Sequence, residues 1–224
     1  MKAQSPKPRP APPSKREQAK ETIIQGAVQA LVDGGPSAST RSIAGAAGVN
    51  LATLHYYFEN KDALLMGAFE AINLELREAA QSGLQPQESF DSSIEHVLVN
   101  AWKMVLQTLD KQIVQYELAM YAARKKSDFA LARWQYEEYF KVYTDVFARA
   151  FEGMPEARGL DLDAMARFIV AGMDGLILQH LADPDVHRSW VGVRRLVYAT
   201  QALASARRAA ATPEPERGVF FRAP

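Results

Sequence analysis

The chain has 224 residues, 48% of them hydrophobic, sets 26 Lys and Arg against 26 Asp and Glu, and contains no cysteine. That length allows a substantial core in one large or two small domains, and the missing cysteines exclude disulfides, thiolate zinc sites and a thiol nucleophile, which fits a reducing compartment, taken as the cytoplasm. No apolar run approaches the ~20 residues of a membrane span, and the basic start MKAQSPKPRPAPPSKR has no apolar segment behind it, so a soluble, unsecreted protein without a membrane partner is expected.

Residues 1–14 hold five prolines and almost no large apolar side chains, and are predicted to form an extended, mobile basic arm. Residues 1–61 carry eight Lys or Arg less four Asp or Glu, net +4, against eighteen less twenty-two, net −4, for the remainder. A basic end on an acidic body suits a polyanion partner. Lys2, Lys7, Arg9, Lys15 and Arg16 either track such a polyanion or form a plain solvated tail.

From Ser14 the period becomes helical. Ser14 caps a segment with Ile23, Ile24, Ala27, Val28, Leu31 and Val32 on one face, ended by Gly34, Gly35 and Pro36. Ser39 caps a two-turn helix with Ile43, Ala44 and Ala47 inward, stopped at Gly48; Asn50 caps a third helix over Leu51–Phe58, and Asn60 a fourth from Lys61. Further stripes are Ile94 to Leu109, Leu131 to Phe147 and Met165 to Leu181, with breaks at QSGLQPQES, KKSDF, EGMPEARGLD and ADPDVHR and no convincing strand alternation. The expected fold is all-α: arm 1–14, helix-turn-helix domain 15–60, helical body 61–208, and a tail 209–224 whose Phe220 and Phe221 are free to dock.

A short helix, a glycine turn and a second short helix at a steep angle is the unit that enters a major groove. Gly48 supplies the left-handed turn residue, Val49 plugs the angle, and Ile43, Ala47, Leu54 and Phe58 form a small core. At 100° per residue Ala52 and His55, flanked by Leu51 and Tyr56, project away from Leu54 and Phe58, a surface suited to thymine methyls and base edges.

Over residues 15 to about 70, TRSIAGAAGV followed by TLHYYFENKDALL resembles the DNA-binding domain of the TetR (tetracycline repressor) family of bacterial regulators. The resemblance implies that Thr40, Thr53, Tyr56, Tyr57 and Lys61 hold phosphates and that Arg41, Leu51, Ala52 and His55 lie nearest bases. Tyr57 as core, and Lys61 and Arg41 as solvated charges, are the alternatives. The family most often has tyrosine where His55 stands and often a polar residue in place of Leu51, so no operator sequence carries over.

A two-turn recognition helix reads few base pairs, which favours a symmetric dimer on a palindrome. Gly172 and Gly175, with Val193, Leu196, Val197, Thr200 and Ala204 at helical spacing, are the predicted dimer interface, and the resemblance implies a four-helix bundle between two copies. Between head and dimer lie Trp102, Met120, Tyr121, Trp134, Tyr139, Tyr143, Phe168 and Met173, either ordinary core or the wall of an apolar pocket. Asp174 lies at a stripe edge, and Glu117 falls near the buried stripe, either anchoring a ligand or paired with Arg124 or another helix. The resemblance implies a small apolar or amphipathic effector that releases a repressor from a palindromic DNA operator through the fourth helix. A constitutive repressor or architectural dimer without effector, and an activator, are the other readings.

Catalysis has no support in the residues. His55, His96, His180 and His187 fall in no metal spacing, and no G-x-S-x-G, phosphate loop or dinucleotide fingerprint occurs. No catalytic residue, metal or cofactor is expected.

Overall fold

The computed structural model describes residues 14–82, 89–124 and 130–209, leaving most of the predicted arm and tail, with Lys2, Lys7, Arg9, Phe220 and Phe221, outside the described residues. The described residues are all-α, with no strand. In order the helices are α1 (Lys15–Gly34), α2 (Thr40–Ala46), α3 (Leu51–Tyr57), α4 (Lys61–Gln81), α5 (Phe90–Gln107), α6 (Leu109–Arg124), α7 (Ala130–Ala150), α8 (Leu162–Ala182) and α9 (Val186–Ala209). None of them is long and apolar enough to cross a membrane.

Side-chain oxygens start most of these helices by taking up amides that have no partner in the first turn. Ser14 and Glu17 form a reciprocal box, Glu17 N to Ser14 Oγ 3.2 Å and Ser14 N to Glu17 Oε2 2.6 Å, which holds the Glu17 carboxyl below its usual range. Asn60 Oδ1 accepts from Ala63 N at 2.8 Å, Ser89 Oγ from Ser92 N at 3.1 Å and Asp161 Oδ1 from Ala164 N at 2.9 Å.

The chain divides into two compact units. One runs to Ile72 and takes in Asp110–Arg133; the other comprises Asn73–Leu109 and the chain from Trp134 onward. The first unit therefore reaches past the predicted boundary at residue 60. Its core explains why: Leu64, Leu65, Ala68 and Ile72 of α4 and Val114 and Leu118 of α6 close over Ile23, Leu31, Ile43, Leu54 and Phe58. In the middle of α1 a Cβ on Gly26 would stand 2.5 Å from Ala47 Cα, so only glycine lets α1 lie against the end of α2.

In the second unit Ile94, Val97, Leu98 and Trp102 of α5, Val142, Val146 and Phe147 of α7, Ile169 and Met173 of α8 and Val193, Val197 and Thr200 of α9 are buried. α8 and α9 interlock by exchange of glycine and leucine: Gly172 receives Leu196, and Gly192 receives Leu176. This corrects the predicted dimer interface. Val193, Leu196, Val197, Thr200 and Ala204 are 0–8% exposed inside their own chain, so a partner cannot reach them. Gly175 alone of that set has open space over it.

Three smaller expectations also change. Leu109 begins α6 instead of ending the α5 stripe, because Thr108 leaves helical geometry (φ −136°) while its Oγ1 donates back to Met104 O at 2.8 Å. Phe58 is the cap of α3 and not its last helical residue. Glu117 is exposed, so the burial cost argued for its carboxylate does not arise. The side chain of Leu131 lies outside the described residues.

Candidate nucleic-acid interface

The pairing of α2 with α3 follows from a few local bonds. Ser39 Oγ accepts from Ser42 N at 3.0 Å to start α2, and Gly48 at φ 65° reverses the chain, its N–H donating to Gly45 O at 3.1 Å and that of Val49 to Ala44 O at 2.9 Å. Asn50 Oδ1 then accepts both from Thr53 N at 2.7 Å and from Thr53 Oγ1 at 2.9 Å. Leu54 and Phe58 fasten the inner side of α3 to the unit core, with Val49 and Ala47 packed beside them. The outer side is thereby fixed without touching it.

On that outer side Ala52, His55 and Tyr56 are exposed, as is Arg41 on α2. Tyr56 is 72% exposed and meets Tyr57 edge to face at a ring separation of 5.1 Å, which braces a phenol that the core does not use. Thr40 and Thr53 are half-buried, Thr53 spending its hydroxyl proton on Asn50. Leu51 and Tyr57 are half-buried and pack against the unit core, so Leu51 is less available to a base than the resemblance implies and Tyr57 follows its core alternative. Lys61 also departs from its expected place: its Nζ donates to Pro36 O at 2.7 Å and lies 5.9 Å from the centre of the Tyr121 ring. Its charge ties the start of α4 to the turn after α1. The surface thus combines a methyl, an imidazole, a phenol and a guanidinium on rigid backbone, the donor and acceptor types that read base edges and grip phosphates. Sequence reasoning missed Gly26, although a glycine in mid-helix at an ordinary interior position was the available signal.

The predicted ligand residues do not form one set. Glu117, Met120 and Tyr121 belong to the first unit, where with Gly34, Pro36 and Ile113 they line an open groove of about 920 Å³, and Met120 is 56% exposed instead of buried. In the second unit Trp102, Tyr139, Tyr143 and Met173 are buried, while Trp134 and Asp174 are half-buried. Tyr136, not singled out from sequence, donates to Asp174 Oδ2 at 3.1 Å; burial and then the carboxylate charge push its phenol up to about 12. Burial first, with Asp174 adding to it, raises Tyr139 and Tyr143 as well. Phe168 is exposed at a separate cavity of about 230 Å³ shared with Met165, Thr200, Leu203 and Ala204. Among the described residues no cluster of acidic and histidine side chains could hold a metal.

Residues 23–67 match the family described as bacterial regulatory proteins, tetR family. Over 167 residues the chain is 26% identical to the HTH-type nicotine-responsive transcriptional repressor HdnoR of Paenarthrobacter nicotinovorans, covering 74% of this chain and 85% of that protein. Its fold is similar to a putative TetR-family regulator from Rhodococcus sp. (TM-score 0.69, 18% identity, 84% of this chain and 98% of that one). It is also similar to the fatty acid degradation regulator FadR of Bacillus halodurans (TM-score 0.60, 20% identity, 85% and 96%).

Proposed function

We propose that the chain is a DNA-binding transcriptional repressor of the tetR family of bacterial regulatory proteins, which acts in the cytoplasm as a homodimer on a palindromic operator and is released by a small apolar or amphipathic ligand. The observation that carries this reading is the outward face of α3, where Ala52, His55 and Tyr56 stand exposed on a helix whose cap and inner side are both fixed. Aromatic and imidazole groups held so far from the core serve no purpose in packing. Release by a ligand draws support from a relative named for its response to nicotine. The dimer rests on exposed apolar groups of the second unit, Phe168, Leu178 and Tyr198, which with the uncovered Gly175 leave parts of α8 and α9 without cover from their own chain.

Selection from a random duplex library followed by anisotropy titration tests the DNA reading. His55→Ala and Arg41→Ala, each removing a side chain placed nearest the bases, are each expected to reduce preference for the selected sequence by about 10- to 100-fold. Wild-type protein that enriches no sequence, or a His55→Ala variant with undiminished preference, overturns it. A repressor with no effector is the second reading, favoured by the burial of Trp102, Tyr143 and Met173 as plain core.

A further inference from the structure

Where α8 begins, beside the end of α9, the second unit has a cavity of about 230 Å³. Met165 and Ala204 are buried in its wall, while Phe168 at 37% and Leu203 at 48% line it and stay exposed. Thr200 lines it too, but Thr200 Oγ1 donates to Leu196 O at 2.8 Å and has no proton left for a ligand. Apart from the Asp161 carboxylate, the wall is therefore apolar in effect. A dry apolar cavity of about 150 Å³ accommodates benzene, so this one has room for a phenyl ring.

Residues 210–224, AATPEPERGVFFRAP, lie outside the described residues and follow directly on α9. Large apolar side chains occur there only at Val219, Phe220 and Phe221, the rest being Ala, Thr, Pro, Glu, Arg and Gly. A run of consecutive large apolar residues in so polar a segment calls for cover. Leu203 and Ala204 lie only about 8–9 Å along the helix axis before Ala209, the last residue of α9. Phe220 comes eleven residues after Ala209, and that length of chain spans up to about 36 Å. The rings can therefore turn back to the cavity without stretching the chain.

We propose that Phe220 and Phe221 dock onto the second unit of their own chain, one ring filling the cavity between α8 and α9. The tether decides the occupant: a ring held so near competes at an effective concentration of about millimolar, which a free aromatic compound or a second copy must exceed. Charge agrees with this placement, since Arg222 follows the rings and Asp161 lines the cavity. Docking takes Phe168 out of the surface offered to a second copy. It leaves Gly175 and Leu178, the latter about 15 Å farther along α8, to the dimer. The contact needs neither DNA nor a releasing ligand.

The chain has no cysteine, so Ala223→Cys carries a single nitroxide on the full chain. Paramagnetic broadening at the amides of Ala164, Phe168, Leu203 and Ala204 is expected to be about threefold or more above that in a chain also carrying Phe220→Ser and Phe221→Ser, which has the same tether without the rings. Ala164→Phe sets a ring from α8 into the cavity and is expected to bring the broadening down to the serine level, with unshifted α5 amides reporting that the unit remains folded. A mixture of ¹⁵N-labelled chain without nitroxide and unlabelled chain with it is expected to show no more broadening at these amides than the serine variant. Equal broadening with and without the rings, or broadening that survives Ala164→Phe, overturns the proposal. So does stronger broadening in the mixture, which would assign the rings to a second copy.

Discussion

At Gly26 a missing side chain decides how α1 and α2 meet. A methyl there would contact Ala47 at Cα, Cβ and N within 2.5–2.6 Å, and backbone cannot yield as a rotamer can. Gly26→Ala is expected to cost about 2 kcal/mol or more despite alanine's better helix propensity, which alone would contribute about 1 kcal/mol the other way. The urea midpoint of the first unit reports it, and a variant as stable as wild type would mean that α1 and α2 are farther apart. Lys61 poses the opposite case, a charge with an internal partner. Lys61→Met keeps the stem and loses the bond to Pro36 O, with an expected cost of about 1 kcal/mol and little change in the salt dependence of DNA binding. A salt slope lowered by about 1 would show that the amine leaves Pro36 for a phosphate and would restore the role implied by family resemblance.

At the scale of elements the same division between local and distant causes separates what the sequence disclosed from what it did not. α3 has seven residues, too few to persist alone, and depends on its cap and on Leu54 and Phe58. Asn50→Ala removes the acceptor for both Thr53 N and Thr53 Oγ1, and is expected to cost about 1 kcal/mol with faster amide exchange at Thr53 than at Leu64. Unchanged exchange would mean that packing alone holds the helix. Caps such as Ser14, Ser39, Asn50 and Asn60, and the turn at Gly48, were legible because each acts within three or four residues of its own position. The break at Thr108 was not, since neither glycine nor proline marks it. Nor was the membership of α6 in the first unit, which depends on Val114 and Leu118 finding a core laid down by residues far away in sequence. Periodicity likewise assigned Val193, Val197 and Thr200 to a partner chain, because an apolar stripe reads alike whether α8 or a second copy covers it. Of the candidate interface, the exposed Ala52, His55 and Tyr56 stand as the helical wheel had them, whereas Leu51 and Lys61 were drawn inward by neighbours that the wheel does not contain.

For the whole molecule the question is what remains uncovered once each unit has closed its own core. In the second unit Leu178 is 50% and Tyr198 62% exposed, and Gly175 lies one turn of α8 before Leu178 with nothing over it. Apolar groups left bare at helical spacing are what a twofold interface uses, because the same stripe then faces itself across the axis. Leu178→Arg is expected to leave folding stability within about 0.5 kcal/mol of wild type, since the position is half in solvent. In the proposed dimer it would set two guanidinium groups into an apolar contact, so sedimentation is expected to show a dimer for wild type and a monomer for the variant. Loss of the dimer converts two linked half-site contacts into two independent ones, and the affinity for a full palindrome should fall by about 10²- to 10⁴-fold while that for a single half-site stays constant. A variant that is monomeric and yet binds the palindrome as wild type does would remove the dimer from the mechanism, and a variant that stays dimeric would move the interface away from Leu178.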